Sequence, residues 1–113
     1  MSTMLNKRWD VIRILFAKTQ QGKIEWTTGP TPEMVYANIG GLGISLQPMV
    51  SDFIVSFYDE DGALTESMTD VDFTSQGFEN CYPIMQNLYE IARAHATGSE
   101  KVIDSLLDIL NNI

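Results

Sequence analysis

The segment ANIGGLGISLQP, residues 37–48, constrains the fold more than any other part of the chain. Its adjacent glycines, Gly40 and Gly41, tolerate the positive φ angles of a two-residue hairpin turn, and apolar and polar residues alternate on both sides. A turn at this pair places six apolar residues on one face, as the opposed pairs Ile39–Leu42, Ala37–Ile44 and Val35–Leu46. The other face pairs Asn38 with Gly43, Tyr36 with Ser45 and Met34 with Gln47. Because a slip of one residue would reverse both faces, this pattern specifies the register.

The same glycines raise the question of a phosphate-binding loop. Such a loop needs a helix directly after the glycines, so that backbone amides at the helix N-terminus point at the anion. The residues that follow, LGISLQP, alternate like a strand and stop at Pro48, which favours the hairpin. One alternative stays open, because Thr31, Pro32 and Glu33 resemble a helix start. Residues 32–39 can therefore be interpreted as a strand or as a helix.

Hydrophobic periodicity predicts the first helix over residues 4–21. Residues at helical spacing form one apolar stripe: Leu5, Trp9, Ile12, Leu15, Phe16 and Thr19. Ser2 or Thr3 can cap its start, and Gly22 suits its end. The segment KIEWT, residues 23–27, follows as a possible short strand.

Two more strands are predicted over residues 52–58 and 63–68, joined by a DEDG turn at 59–62. A four-residue loop there pairs Phe57 with Leu64 and Phe53 with Met68. Residues 69–83 are expected to be a polar connection. A helix follows over residues 83–96, with a stripe of Ile84, Leu88, Ile91 and His95. Ser99 is expected to cap a last helix, whose buried-type positions are Ile103, Leu106, Leu107, Leu110 and Ile113.

The order of these elements predicts an α+β fold in one domain, residues 1–113. It comprises an N-terminal helix, a four-strand antiparallel meander and two C-terminal helices, with all helices on one sheet face. An apolar fraction of 44% is that of an ordinary globular chain, so no metal, disulfide or cofactor is expected to support folding. The single cysteine, Cys81, excludes an intrachain disulfide. No apolar run approaches the ~20 residues of a membrane helix and no signal-peptide pattern is present, so a cytoplasmic protein is expected.

The C-terminal segment NLYEIARAHATGSEKVIDSLLDIL carries a resemblance to known sequences. Together with the early tryptophan and the YDEDG turn, the chain resembles small uncharacterised bacterial proteins that have a Leu-Tyr-x-x-Ala-Arg helix followed by a Leu-Leu-x-x-Leu helix. The matching residues are Leu88, Tyr89, Ala92 and Arg93, then Leu106, Leu107 and Leu110. The resemblance covers roughly residues 24–110. It supports the fold and implies no known activity.

Charge is distributed unevenly along the chain, whose net charge is −8. Residues 1–23 hold five basic residues and one acid, whereas residues 24–113 hold fourteen acids against Arg93 and Lys101. A polyanion is repelled by most of such a surface, which disfavours direct nucleic-acid binding. A basic partner protein is compatible with it, although an acidic surface also serves solubility alone.

The residues that could carry catalysis or bind a metal are few. Cys81 and His95 are the only cysteine and histidine, and a nucleophilic pair needs them within hydrogen-bond reach. A packed histidine and an inert cysteine are the ordinary interpretation. The run Asp59–Gly62 lacks the spacing of a calcium loop, and an acidic cluster of Glu66, Asp70 and Asp72 is by default solvated. No catalytic residue and no metal site is therefore predicted.

Polar and aromatic residues on the second face of the meander form the candidate binding surface: Tyr36, Asn38, Ser45, Gln47, Ser56 and Tyr58, with Trp26 nearby. Half-solvated sheet faces are common, which is the plainer explanation. The leading functional hypothesis is a non-enzymatic acidic interaction module, an accessory or inhibitor protein. The alternatives are a binder of nucleotide-like ligands at Tyr36 and Tyr58, and a hydrolase that uses Cys81 and His95.

Self-association is the last expectation. Three helices shield only one face of a four-strand sheet at this chain length. The other face would then expose Met34, Tyr36, Ile54 and Tyr58, with Trp26 close by. We expect this face to mediate a twofold homodimer, weakened by Tyr36→Asp or Ile54→Asp.

Overall fold

The computed structural model describes residues 4–113, with side chains from residue 6 onward. The predicted cap at Ser2 or Thr3 and the side chain of Leu5 lie outside the described residues. One antiparallel sheet has the strand order β1-β2-β3-β4-β5. In chain order the elements are α1 (Met4–Gln20), β1 (Thr27–Thr28), β2 (Val35–Ile39), β3 (Leu42–Pro48), β4 (Phe53–Tyr58), β5 (Leu64–Thr69), α2 (Asp70–Thr74), α3 (Cys81–Thr97) and α4 (Ser99–Asn111).

The predicted α+β class and the order of helix, meander and C-terminal helices are confirmed, with five strands in place of four. The additional strand, β1, is a two-residue edge strand in which Thr27 pairs with Tyr36 and Thr28 with Val35. It overlaps only the end of the possible strand at 23–27. Residues 35–39 form a strand, so the helical alternative for 32–39 is wrong. The strand buries Val35 and Ala37 while its edges hydrogen-bond to β1 and β3.

The β2–β3 hairpin has the predicted register in all five residue pairs, from Val35↔Leu46 to Ile39↔Leu42. The burial of its apolar residues differs from the prediction at the tip of the hairpin. Four of the six apolar positions are buried, but Ile39 is 42% exposed and Leu42 is 51% exposed. The helices cover the base of the hairpin and leave these two tip residues uncovered.

The predicted β4–β5 register is wrong by two residues. Val55 pairs with Met68 and Phe57 with Glu66, and an irregularity follows between Phe57 and Tyr58. The longer turn accounts for one residue of this shift, and the irregularity between Phe57 and Tyr58 accounts for the other. Asp59 Oδ1 accepts the amides of Asp61 and Ala63, so the connection uses residues 59–63 instead of four residues.

The core lies between the sheet and the helices α1 and α3. On α1, Trp9, Ile12, Leu15 and Thr19 are buried as predicted. On α3 the buried stripe is Cys81, Met85, Leu88, Tyr89 and Ala92, whereas Ile91 and His95 are exposed. The predicted α3 stripe is therefore rotated, because α3 packs against α1 and against β1 and β2 at the same time.

The connection over residues 69–83, predicted to be only polar, contains α2. Thr69 and Asp72 form a reciprocal capping box at its start. Phe73 is fully buried, with its ring 4.9 Å from the ring of Trp9. The buried carboxylate of Asp70 accepts the Phe53 amide at 2.8 Å, which fixes α2 to the start of β4.

The last helix, α4, does not pack on the sheet. It contains no buried residue, and the five positions predicted to be buried are between 46% and 93% exposed. Its start is capped by Gly98, which has a positive φ of 73°, and not by Ser99. The described chain extends over 58 × 33 × 27 Å, with a radius of gyration of 15.5 Å against about 13 Å for a compact chain of this length. The main contacts of α4 are with α3.

Candidate functional site

Three of the predicted binding residues do come together on the second sheet face. The ring centroids of Tyr36 and Tyr58 are 5.8 Å apart, edge to face, and Tyr58 Oη lies 2.9 Å from Ser45 Oγ. Tyr36 lies over Gly43, where an added Cβ would approach the Tyr36 hydroxyl to 2.5 Å. The two rings pack on each other and on the strand, so they do not leave a slot for a planar ligand between them.

The other polar candidates on this face also bind within the sheet. Ser56 Oγ lies 2.8 Å from Ser67 Oγ, and Asn38 Oδ1 accepts the Gly41 amide in the hairpin turn. Gln47 pairs across the strands with Ile54. In the described part of the chain, no buried side-chain nitrogen or oxygen lacks a hydrogen-bond partner. The hydroxyls of Ser45, Ser56 and Tyr58 and the side-chain oxygen of Asn38 therefore stabilise the sheet and its hairpin turn.

Trp26 belongs to the core and not to this surface, which corrects the expectation from the sequence. It is 3% exposed, and its Nε1 donates to Thr19 Oγ1 at 3.1 Å. The reason is the register of β1. Because Thr27 pairs with Tyr36, the preceding residue points to the opposite side of the sheet, towards α1.

Cys81 and His95 lie near opposite ends of α3, and fourteen residues of helix separate them by about 21 Å. The Cys81 thiol is buried and donates to the Phe78 carbonyl at 3.4 Å, and burial raises its pKa. His95 is exposed and lies 3.1 Å from Glu25. The two residues do not form the nucleophilic pair that the hydrolase hypothesis requires of them.

The acidic residues are likewise dispersed. Glu66 pairs with Arg8, Asp70 accepts the Phe53 amide and Asp72 caps α2. Asp59 binds backbone amides of its own turn. Among the described residues, no group of three or more His, Cys, Asp or Glu side chains is placed to hold a metal ion.

An apolar groove lies between α1 and the uncovered end of the hairpin. We call it the hairpin groove. It has a volume of about 410 Å³, its main apolar lining is Val11, Ile39, Leu42, Ile44 and Phe57, and Asp59 also lines it. Val11, Ile39 and Leu42 are each 42–51% exposed. The sequence predicted that Ile39 and Leu42 are buried in the core. The alternation of apolar and polar residues shows which face of a strand is apolar, but it does not show how far the covering helix extends along that face.

The outer face of α1 borders this groove and is basic. Lys7, Val11, Ile14 and Lys18 recur at helical spacing on the side away from the core, and all four are exposed. Arg8 donates two hydrogen bonds to Glu66, one from Nη2 at 2.7 Å, and this ion pair lowers the pKa of Glu66. The sequence indicates this surface through Val11 and Ile14, because these two apolar residues do not belong to the buried stripe of α1.

The exposed apolar face of α4 is the second unpartnered surface, which we call the α4 face. Six of its residues occupy one side of the helix, and Ile113 follows the helix end: Val102, Ile103, Leu106, Leu107, Ile109, Leu110 and Ile113. Glu100, Asp104 and Asp108 follow one another at four-residue spacing and form an acidic row beside it. The sequence located this face but assigned it to the core.

Compared with family models, curated proteins and solved structures, the chain matches none. In the part of the chain that the structure describes, no helix has both the length and the apolar character needed to span a membrane.

Proposed function

We propose that the chain is a non-enzymatic protein-interaction module whose main binding element is the α4 face. The observation that supports this proposal is that six large aliphatic side chains on one side of a helix are each between 46% and 63% exposed, and that Ile113 just after the helix is 93% exposed. Isolated exposed aliphatic residues are ordinary, but a contiguous apolar patch marks a surface that a partner covers.

The form of the surface also supports protein recognition. An amphipathic helix that places its apolar side in a hydrophobic groove is a recurring mode of recognition between proteins. The acidic row beside the α4 face selects for a groove with basic residues at its edge.

Affinity capture with matched variants tests this function. The tagged chain is incubated with extract of its native host, to which a second, differently tagged copy has been added. Leu106→Asp combined with Leu110→Asp adds two charges to the α4 face, and Ser105→Asp combined with Asn111→Asp adds two charges to the polar side. We expect the first variant to lose bound protein and the second to retain it.

The function fails if neither the second copy nor any other protein is retained. It also fails if the variant altered on the α4 face retains its partners as well as the control does. Circular dichroism on both variants shows whether the helices are intact. Binding that weakens as salt is raised is expected from the acidic row.

A further inference from the structure

Two exposed apolar surfaces on the same chain have complementary shapes. The α4 face is convex and carried by a helix of 13 residues, about 20 Å long. The hairpin groove is concave, with Val11 on one side and the hairpin tip on the other. Neither is covered by another element of the described chain, as the exposure of their residues shows.

We propose that the hairpin groove of one chain binds α4 of a second copy, and that two chains exchange these helices reciprocally about a twofold axis. This inference rests on the proposed function, and it names the partner. Each copy then contributes both a helix and a groove, which gives a closed dimer with two identical contacts.

Charge complementarity favours this pairing over contact between two α4 helices. Lys7 and Lys18 stand at either end of the outer face of α1, about 16 Å apart along the helix. The acidic row of α4, from Glu100 to Asp108, is about 12 Å long. Docking with the acidic row on the α1 side of the groove brings this row beside Lys7 and Lys18, with Asp59 on the opposite, hairpin side, whereas pairing two α4 helices brings acidic rows together.

The short connection between α3 and α4 favours binding of α4 to the groove of a second copy over binding to the groove of its own chain. Only Gly98 lies between the two helices, so α4 has no linker with which to fold back across the sheet. At its N-terminal end, α4 lies near Glu25 and His95. Short connections of this kind favour exchange between copies over closure within one chain.

The number of side chains also suits a specific interface. Six apolar residues of α4 and the following Ile113 join Val11, Ile14, Ile39 and Leu42 from the groove and its border, which makes eleven per copy. A specific interface uses about 20–30 residues a side, with an apolar centre and a polar rim. The second sheet face offers less, because Tyr36, Ile54 and Tyr58 are each partly buried within their own chain.

Sedimentation of the full chain and three variants tests the exchange. The wild type is expected to sediment as a dimer of twice the 12.7 kDa chain mass at micromolar concentration. Leu42→Asp alters the groove and Leu106→Asp alters α4, and both residues are about half exposed, so both variants should fold. Each substitution would bury an unpaired carboxylate, so we expect each to raise the dimer dissociation constant about 100-fold or more.

Mixing the two variants gives the decisive readout. A chain with an altered groove still has an intact α4, and a chain with an altered α4 still has an intact groove. The mixture can form one of the two contacts, so it should contain a heterodimer although each variant alone is monomeric. Ile54→Asp on the second sheet face is the matched control, and it should leave the dimer intact.

Each remaining outcome overturns the exchange. If Leu42→Asp stays dimeric while Leu106→Asp does not, two α4 helices pair directly. If only Ile54→Asp dissociates, the second sheet face is the interface. If the wild type is monomeric throughout while its α4 face still captures other proteins, the exchange fails and the proposed function stands. If the α4 face captures nothing, both fail.

Discussion

The two C-terminal helices differ in what covers them. They are separated by Gly98 alone, and both carry an apolar side along their length. Five residues of α3 are buried, whereas no residue of α4 is buried. Amphipathic spacing therefore identifies an apolar face but does not say whether the same chain covers it.

The difference has a structural cause. In addition to its packing, α3 is held by hydrogen bonds, in which the Tyr89 hydroxyl donates to the Glu33 carbonyl and Arg93 donates to Tyr89 Oη at 3.0 Å. For α4, the side-chain bonds in the described chain stay local, such as Asn112 Nδ2 to the Asp108 carbonyl. One helix is part of the core, and the other presents the same kind of face to solvent.

Truncation of one leucine on each helix should give the largest contrast. Leu88→Ala removes a side chain that is 1% exposed and should lower the free energy of unfolding by about 2–5 kcal/mol. Leu106→Ala should change it by less than about 0.5 kcal/mol in dilute solution, as surface substitutions do. Urea unfolding followed by the fluorescence of the buried Trp9 and Trp26 measures both. Equal losses of stability from the two substitutions would mean that α4 packs against the core of its own chain.

Thiol reactivity should separate the helices by about two orders of magnitude, because a buried thiol reacts only after local opening that costs several kcal/mol. Cys81 at the start of α3 should react slowly with an aromatic disulfide at pH 8. A chain carrying Cys81→Ser and Leu107→Cys should react rapidly from α4 in solution dilute enough to leave the α4 face uncovered. Similar rates in the two chains would contradict the burial of Cys81.

The buried thiol also predicts a pH dependence. Burial raises the pKa of Cys81 in the folded chain above the unfolded value of about 8.5. The unfolded chain therefore loses this proton first, and stability should fall as the pH rises from about 8.5 through the higher folded pKa. The free energy of unfolding is measured at pH 7 and above pH 9 for both chains. Cys81→Ser should lose less stability between these two pH values than the wild type.

A smaller effect is expected where α3 is tied to the loop before β2. Tyr89→Phe leaves the ring in place but removes the hydroxyl that donates to the Glu33 carbonyl, which should cost about 1 kcal/mol. Tyr82→Phe on the same helix is the matched control, since Tyr82 is 39% exposed. If the two substitutions cost the same in thermal unfolding, the hydroxyl of Tyr89 does not hold α3.

The smallest effect concerns the ion pair between α1 and β5, for which α4 has no counterpart among the described residues. Glu66→Gln should cost about 0.2–1 kcal/mol at pH 7, because both partners are partly exposed. Arg8 lowers the pKa of Glu66, so this stability is present above the unfolded pKa of about 4.3 and is lost as the pH falls through the folded pKa. Glu60→Gln in the exposed turn should leave the acid transition unchanged.

Much of the local structure could be predicted from the sequence. The glycine pair and the alternation around it predicted every residue pair of the β2–β3 hairpin, and the stripe of α1 from Trp9 to Thr19 was identified. The predictions were wrong where contacts between residues distant in the sequence determine the structure. The register of β1 places Trp26 in the core. The turn at Asp59 and the irregularity after Phe57 change the pairing of β5 with β4, and contacts on two sides of α3 change which of its residues are buried. Among the candidate residues, Tyr36, Ser45 and Tyr58 were predicted to share a face and do so.

The sequence by itself determined the three long helices, the four strands of the meander, the hairpin register and the presence of an apolar face on every long helix. These follow from interactions between residues close in the chain, such as the 3.6-residue period and the positive φ of paired glycines. Only the tertiary structure decided which apolar faces are covered. Coverage depends on where other elements end and on the single residue, Gly98, that directs α4 away from the core. Apolar spacing is the same whether the covering surface belongs to the same chain or to another.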